Sequence, residues 1–118
     1  MILTKLRLFP SAKHRHQVLW ALRSVQGPTQ VKPCCLASQV YEENGDKGAV
    51  LYLEEWESKP EFCEHVRSEL YRRILATMDL SESPPELCFH AVSATEGLEL
   101  VQRLLAPAKP PVANDQKP

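Results

Sequence analysis

Polar and apolar positions along this chain fall into two rhythms, one of period two and one of three to four. The clearest stretch runs from Ala49 to Met78. Val50, Tyr52 and Glu54 alternate with Leu51, Leu53 and Glu55, as in a half-buried strand, and Trp56 ends the run. Ser58 then stands at an N-cap position, with Pro60 just inside the helix and Glu61 at capping-box spacing. Phe62, Val66, Leu70 and Ile74 recur at i+4 steps, with Cys63 and Met78 flanking, which predicts one long helix lying on the sheet. Upstream, Ile2–Phe9 reads as a strand with Ile2, Thr4, Leu6 and Leu8 on one face and Leu3, Lys5, Arg7 and Phe9 on the other. Pro10 ends it. Ser11 can cap a helix over Ala12–Val25, whose apolar face is Val18, Ala21, Leu22 and Val25 with Leu19 beside it, and Gly27–Pro28 should stop it.

After a connection over Thr29–Pro33, Cys34–Glu43 alternates as a second strand. Asn44–Gly45–Asp46–Lys47–Gly48 is a turn signal that makes a hairpin of this strand and the Ala49 strand. Beyond the long helix, Ser81–Pro85 is a rigid loop and Leu87–Ser93 a fourth strand. Thr95 can cap a last helix bearing Leu98, Leu100, Val101, Leu104 and Leu105. The order β-α-β-β-α-β with an added C-terminal helix predicts an α+β, ferredoxin-like domain with a four-stranded antiparallel sheet over residues 1–106. Residues 107–118 form a polar, proline-rich tail expected to be extended or disordered. Two helices can cover only one face of such a sheet. A homodimer packed sheet on sheet is the expected solution for the other.

A length of 118 residues bounds this to one domain. The net charge of −1 argues against an electrostatic nucleic-acid binder, since Lys13–His14–Arg15–His16 and Arg72–Arg73 are short and interleaved with apolar helix positions. Lys5 and Arg7 interrupt the N-terminal apolar run, and no segment approaches the ~18 apolar residues of a membrane span. A cytoplasmic protein is expected. Cys34, Cys35, Cys63 and Cys88 form no CxxC pair and read as reduced thiols, with Cys34 and Cys35 on opposite strand faces and so a poor metal chelate.

The segment Glu55–Trp56–x–Ser58, followed by Phe62, His65, Ser68 and Tyr71, resembles the tryptophan-serine strand end and the H-x-x-S helix of the antibiotic biosynthesis monooxygenase family of dimeric α/β barrels. Pro33–Cys34–Cys35 followed by Val40–Tyr41–Glu42–Glu43 is similar to a second family segment, where P-G-C is usual and Cys34 here replaces the glycine. The resemblance covers about residues 1–93. It implies oxidation of a small phenolic or quinol substrate with molecular oxygen, without flavin, haem or metal. The protein would bind the ring and favour its anion, which passes an electron to oxygen.

Such chemistry calls for a base that titrates near neutrality and for aromatic walls. His65 is the candidate base, and Trp56, Phe62, Tyr71, Tyr52 and His90 are candidate substrate contacts. On an ideal wheel, however, His65 falls away from the Phe62–Val66–Leu70 stripe, near Glu61, Glu69 and Arg72, where a surface or dimer-contact histidine would also sit. Trp56 can equally be a core or dimer anchor. The haem-degrading branch of this fold carries tryptophan where His65 stands, a histidine ligand near Leu75 and an asparagine in the first strand; none is present. A binding or dimerisation module without chemistry, and an isomerase or lyase using one histidine, are the alternatives on the same fold.

Overall fold

A computed structural model describes residues 1–45 and 48–108. Asp46 and Lys47 of the expected turn and residues 109–118 of the expected tail lie outside the described residues. The elements are β1 (Ile2–Leu8), α1 (Arg15–Gln30), β2 (Cys35–Glu42), β3 (Val50–Trp56), α2 (Lys59–Val66), α3 (Glu69–Ala76), a 3-10 turn (Thr77–Leu80), β4 (Glu86–Ala91) and α4 (Leu98–Leu105). The sheet is antiparallel, in the order β2-β3-β1-β4. That is the expected ferredoxin-like α+β architecture.

β1 and β3 alternate as anticipated, and the structure decides which face is inward. Ile2, Thr4, Leu6 and Leu8 are buried, and Val50, Tyr52, Glu54 and Trp56 are buried beside them. Val18, Leu19, Leu22 and Val25 of α1 and Tyr71 and Ile74 of α3 close the main core over this face. Ile2, Trp56 and Phe62 form a second, smaller cluster at the end where β3 gives way to α2. The opposite face carries Leu3, Lys5, Arg7, Leu51, Leu53, Glu55, Gln39, Tyr41, Cys88 and His90, and no element among the described residues covers it.

Five expectations are corrected. Gly27–Pro28 does not stop α1, which continues to Gln30 with Pro28 inside it. The lost N–H is outweighed because Thr29 is buried in the next half-turn and Gln26 and Gln30 each donate to the Ser38 carbonyl at 2.9 Å, pinning the helix end to β2. Ser11 caps a turn rather than the helix itself: its carbonyl accepts from His14 and Arg15, and α1 begins at Arg15. Cys34 precedes β2 instead of lying in it. Its φ of +66° is the left-handed conformation that glycine adopts freely, so Cys34 retains the backbone shape of the P-G-C pattern without the glycine. Thr95 caps nothing, since α4 starts at Leu98 behind Gly97, and α4 buries none of its residues.

The correction with most bearing on function concerns the predicted long helix. It is broken at Arg67–Ser68 into α2 and α3. Ser68 takes extended backbone angles and caps α3, its Oγ accepting from the Tyr71 N–H at 3.2 Å while its O–H donates to the His65 carbonyl at 2.6 Å. A serine hydroxyl that satisfies local backbone groups competes with continuous helix. In an unbroken helix, His65 and Tyr71 would stand about 120° apart around the axis. The break resets the phase, and the two rings meet edge to face with centroids 5.2 Å apart.

Candidate functional site

The break turns His65 inward, to 1% exposure, where the ideal wheel had left it on the polar side. It lies over the end of β3. There the two-residue repeat of the strand points Tyr52, Glu54 and Trp56 to the same side. The imidazole ring stacks against Trp56 with centroids 4.7 Å apart.

Glu54 is the group that organises this cluster. It is fully buried, and three donors converge on its carboxylate: His65 Nε2 at 2.9 Å and Tyr52 O–H at 2.6 Å on Oε2, and Trp56 Nε1–H at 2.9 Å on Oε1. Ser38 stands 2.8 Å behind the Tyr52 hydroxyl, and since that hydroxyl donates to Glu54, Ser38 donates to it. Burial followed by the Glu54 charge pushes the Tyr52 phenol far above its usual range and the Tyr71 phenol up to about 12. Both therefore remain neutral phenols at physiological pH.

On the other side of the imidazole, Lys32 Nζ lies 2.9 Å from Nδ1 and 3.2 Å from Ser68 Oγ. An ammonium only donates and a carboxylate only accepts. The two neighbours thus fix the tautomer: Nδ1 accepts from Lys32, and Nε2–H donates to Glu54. A charged acceptor behind one ring nitrogen, with the other nitrogen held only by an ammonium that a ligand can displace, is the arrangement of an oriented base.

A cleft of about 410 Å³ opens beside this pair, lined by Lys32, Pro33, Trp56, Pro60, Glu61, Glu64 and His65. It is large enough for a small organic molecule. The Ser58 O–H donates to the Glu61 carboxylate and holds it below the usual carboxylate range. Desolvation, with Glu61 and Glu57 nearby, raises the Cys34 thiol, and burial raises Cys35, so both favour the protonated form.

The expected site residues divide accordingly. His65 and Trp56 line the cleft. Tyr52 and Tyr71 support the dyad from behind, and Phe62 packs into the Ile2–Trp56 cluster and against Phe89, with centroids 5.3 Å apart. His90 is on the uncovered sheet face, 3.5 Å from Cys88 Sγ, and the structure does not bring it to the cleft.

The first 77 residues match the family model for antibiotic biosynthesis monooxygenases. The chain belongs to that family. Solved structures agree in fold. The Rv0793 protein of Mycobacterium tuberculosis is 22% identical, with a TM-score of 0.71 over 81% of this chain and 98% of its own. A candidate antibiotic biosynthesis monooxygenase of Deinococcus radiodurans is 19% identical, with a TM-score of 0.72 over 82% and 97%. Another, from Nitrosomonas europaea, is 14% identical, with a TM-score of 0.68 over 80% and 100%. No curated protein matches the sequence. At these identities the likeness carries the family fold, and what this member does has to be read from its own residues.

Proposed function

We propose that this family member is a cofactor-independent monooxygenase oxidising a small quinol or related electron-rich phenol with molecular oxygen. The carrying observation is His65, buried against Trp56, with Nε2–H fixed on Glu54 and Nδ1 on the Lys32 side of the cleft. The ring lies against Trp56, Pro33 and Pro60, and its hydroxyl donates to Nδ1 once Lys32 moves off that nitrogen. The proton passes to Nδ1, the electron pair stays on the substrate oxygen, and the imidazolium formed is held against Glu54. The anion gives one electron to oxygen, the two radicals join in a C–O–O bond, and cleavage of the O–O bond leaves a hydroxyquinone and water. Quinol plus O₂ balances hydroxyquinone plus water, so the quinol itself supplies all the electrons.

The reading includes a homodimer in the cytoplasm, with the uncovered face bearing Leu3, Leu51, Leu53 and Tyr41 packed on its symmetry mate. One observation favours a binding module without turnover: Lys32 already occupies the nitrogen of His65 that faces away from Glu54. Oxygen uptake by metal-stripped, cofactor-free protein on a panel of quinols, corrected for autoxidation, separates the two. Uptake above background that collapses in His65→Ala and falls in Trp56→Ala supports the oxygenase. Saturable aromatic binding with no uptake replaces it with the binding module. Turnover without oxygen replaces it with an isomerase or lyase.

A further inference from the structure

Lys32 is tied to the site by geometry alone. It follows α1 in the segment leading to β2, and its ammonium reaches across to α2 and the joint with α3. Two of its N–H groups are directed to His65 Nδ1 and Ser68 Oγ, and a third is free of any protein acceptor among the described residues. Every polar atom of the dyad other than Nδ1 is already engaged: three donors occupy the Glu54 carboxylate, and Nε2–H faces inward. A ligand hydroxyl that reaches Nδ1 must therefore meet the Lys32 ammonium at the same oxygen. The remaining charges on the cleft wall are the carboxylates of Glu61 and Glu64. Among the described residues Glu64, exposed, pairs only with Arg67, itself exposed, at 3.4 Å, while Glu61 is kept ionised by Ser58.

We propose that Lys32 is the oxyanion partner of the substrate, and that the cleft selects an uncharged ring with one ionisable hydroxyl over the same ring carrying a carboxylate, sulfonate or phosphate. In the free protein Lys32 rests on Nδ1. When a hydroxyarene binds, its O–H donates to Nδ1 and its oxygen accepts from Nζ. Proton transfer breaks the O–H bond, forms N–H, and leaves the electron pair on an oxygen held between imidazolium and ammonium. A second negative group on the ring would lie among Glu61 and Glu64, where no further cation lines the cleft among the described residues. The Lys32 assignment concerns the same cleft as the proposed oxygenase and rests on the reading that His65 Nδ1 receives the substrate proton, but it needs no turnover.

The test uses binding, so that failure of oxygen chemistry and failure of the Lys32 role are told apart. 4-Nitrophenol is titrated into the full chain without oxygen, and bound acid and bound anion are separated by their absorption bands. Wild type is expected to bind it and to shift the bound ligand toward the anion. Lys32→Met should reduce the bound anion-to-acid ratio roughly 10- to 100-fold, the worth of one hydrogen bond to a charged group, and Lys32→Arg should recover part of it. Thermal melts of both variants establish that they fold. A carboxylated nitrophenol should bind more weakly than 4-nitrophenol, and Glu61→Gln with Glu64→Gln should narrow that gap by about threefold. Absence of binding, no anion shift in wild type, or an equal shift in Lys32→Met overturns the Lys32 role. Equal affinity for the two nitrophenols overturns the charge selection. Anion shift without oxygen uptake on any quinol leaves Lys32 in place and removes the oxygenase.

Discussion

Replacing Glu54 by glutamine in combination with Trp56→Phe isolates the hydrogen bond at the heart of the cluster. The carboxylate accepts on both oxygens, two donors on Oε2 and the Trp56 N–H on Oε1. Glutamine offers one accepting oxygen and one NH₂. Its best placement keeps the oxygen between Tyr52 and His65 and turns the NH₂ on the Trp56 N–H, donor against donor, at a residue 1% exposed. Glu54→Gln thus loses one charge-assisted bond worth about 1.5–3 kcal/mol and leaves a buried donor unmet. Removing a buried carboxylate also returns desolvation energy, which obscures the single-variant value. The double-mutant cycle cancels that term. In the Trp56→Phe background the donor conflict is absent, so the two single losses should exceed the double loss by about 2 kcal/mol or more. Chemical unfolding followed by far-ultraviolet circular dichroism measures all four proteins without relying on Trp56 as the probe. Additivity to within about 0.5 kcal/mol would refute the assigned donor and acceptor roles.

Two further outcomes follow from the same geometry. Cys34→Gly should raise the unfolding midpoint: relief of a left-handed residue is worth ~1–2 kcal/mol and glycine's added unfolded-state freedom returns ~0.5–1, a net gain of roughly half to one kcal/mol in urea titrations. The Tyr71 phenol is raised in the folded chain, so its contribution is intact below the unfolded value near 10 and is lost as pH rises toward about 12. Stability measured between pH 9 and 11 should decline, and Tyr71→Phe should decline less steeply; parallel curves would contradict the burial assigned to that hydroxyl.

The fold could be read from the chain because strand parity and helix spacing both reflect burial on one side of one sheet. Ile2, Leu6 and Leu8 share one parity, as do Val50 and Tyr52, for that reason, and the structure shows that these parities are the buried ones. The same parity held the signal for Glu54: a carboxylate at an inward position between Tyr52 and Trp56 must be hydrogen-bonded or it would not be tolerated. Lys32 gave no such signal, since its partners lie 33 and 36 positions away on another element. His65 was placed on the wrong side because the wheel assumes one axis and Ser68 supplies two. The stop expected at Gly27–Pro28 failed for a tertiary reason, the anchoring of Gln26, Thr29 and Gln30 on β2 and the core.

Glu54 and Trp56 belong to β3, which is hydrogen-bonded on both sides, to β1 and to β2. Amides of such a strand exchange with solvent only through the largest openings of a protein. Acid, indole and the tyrosine behind them are therefore lost together with the sheet and not before it. Exchange of the Glu54 and Trp56 amides should therefore track global unfolding. The cleft wall has no such protection, since Lys32, Pro33, Pro60, Glu61 and Glu64 lie outside the sheet and can open without it.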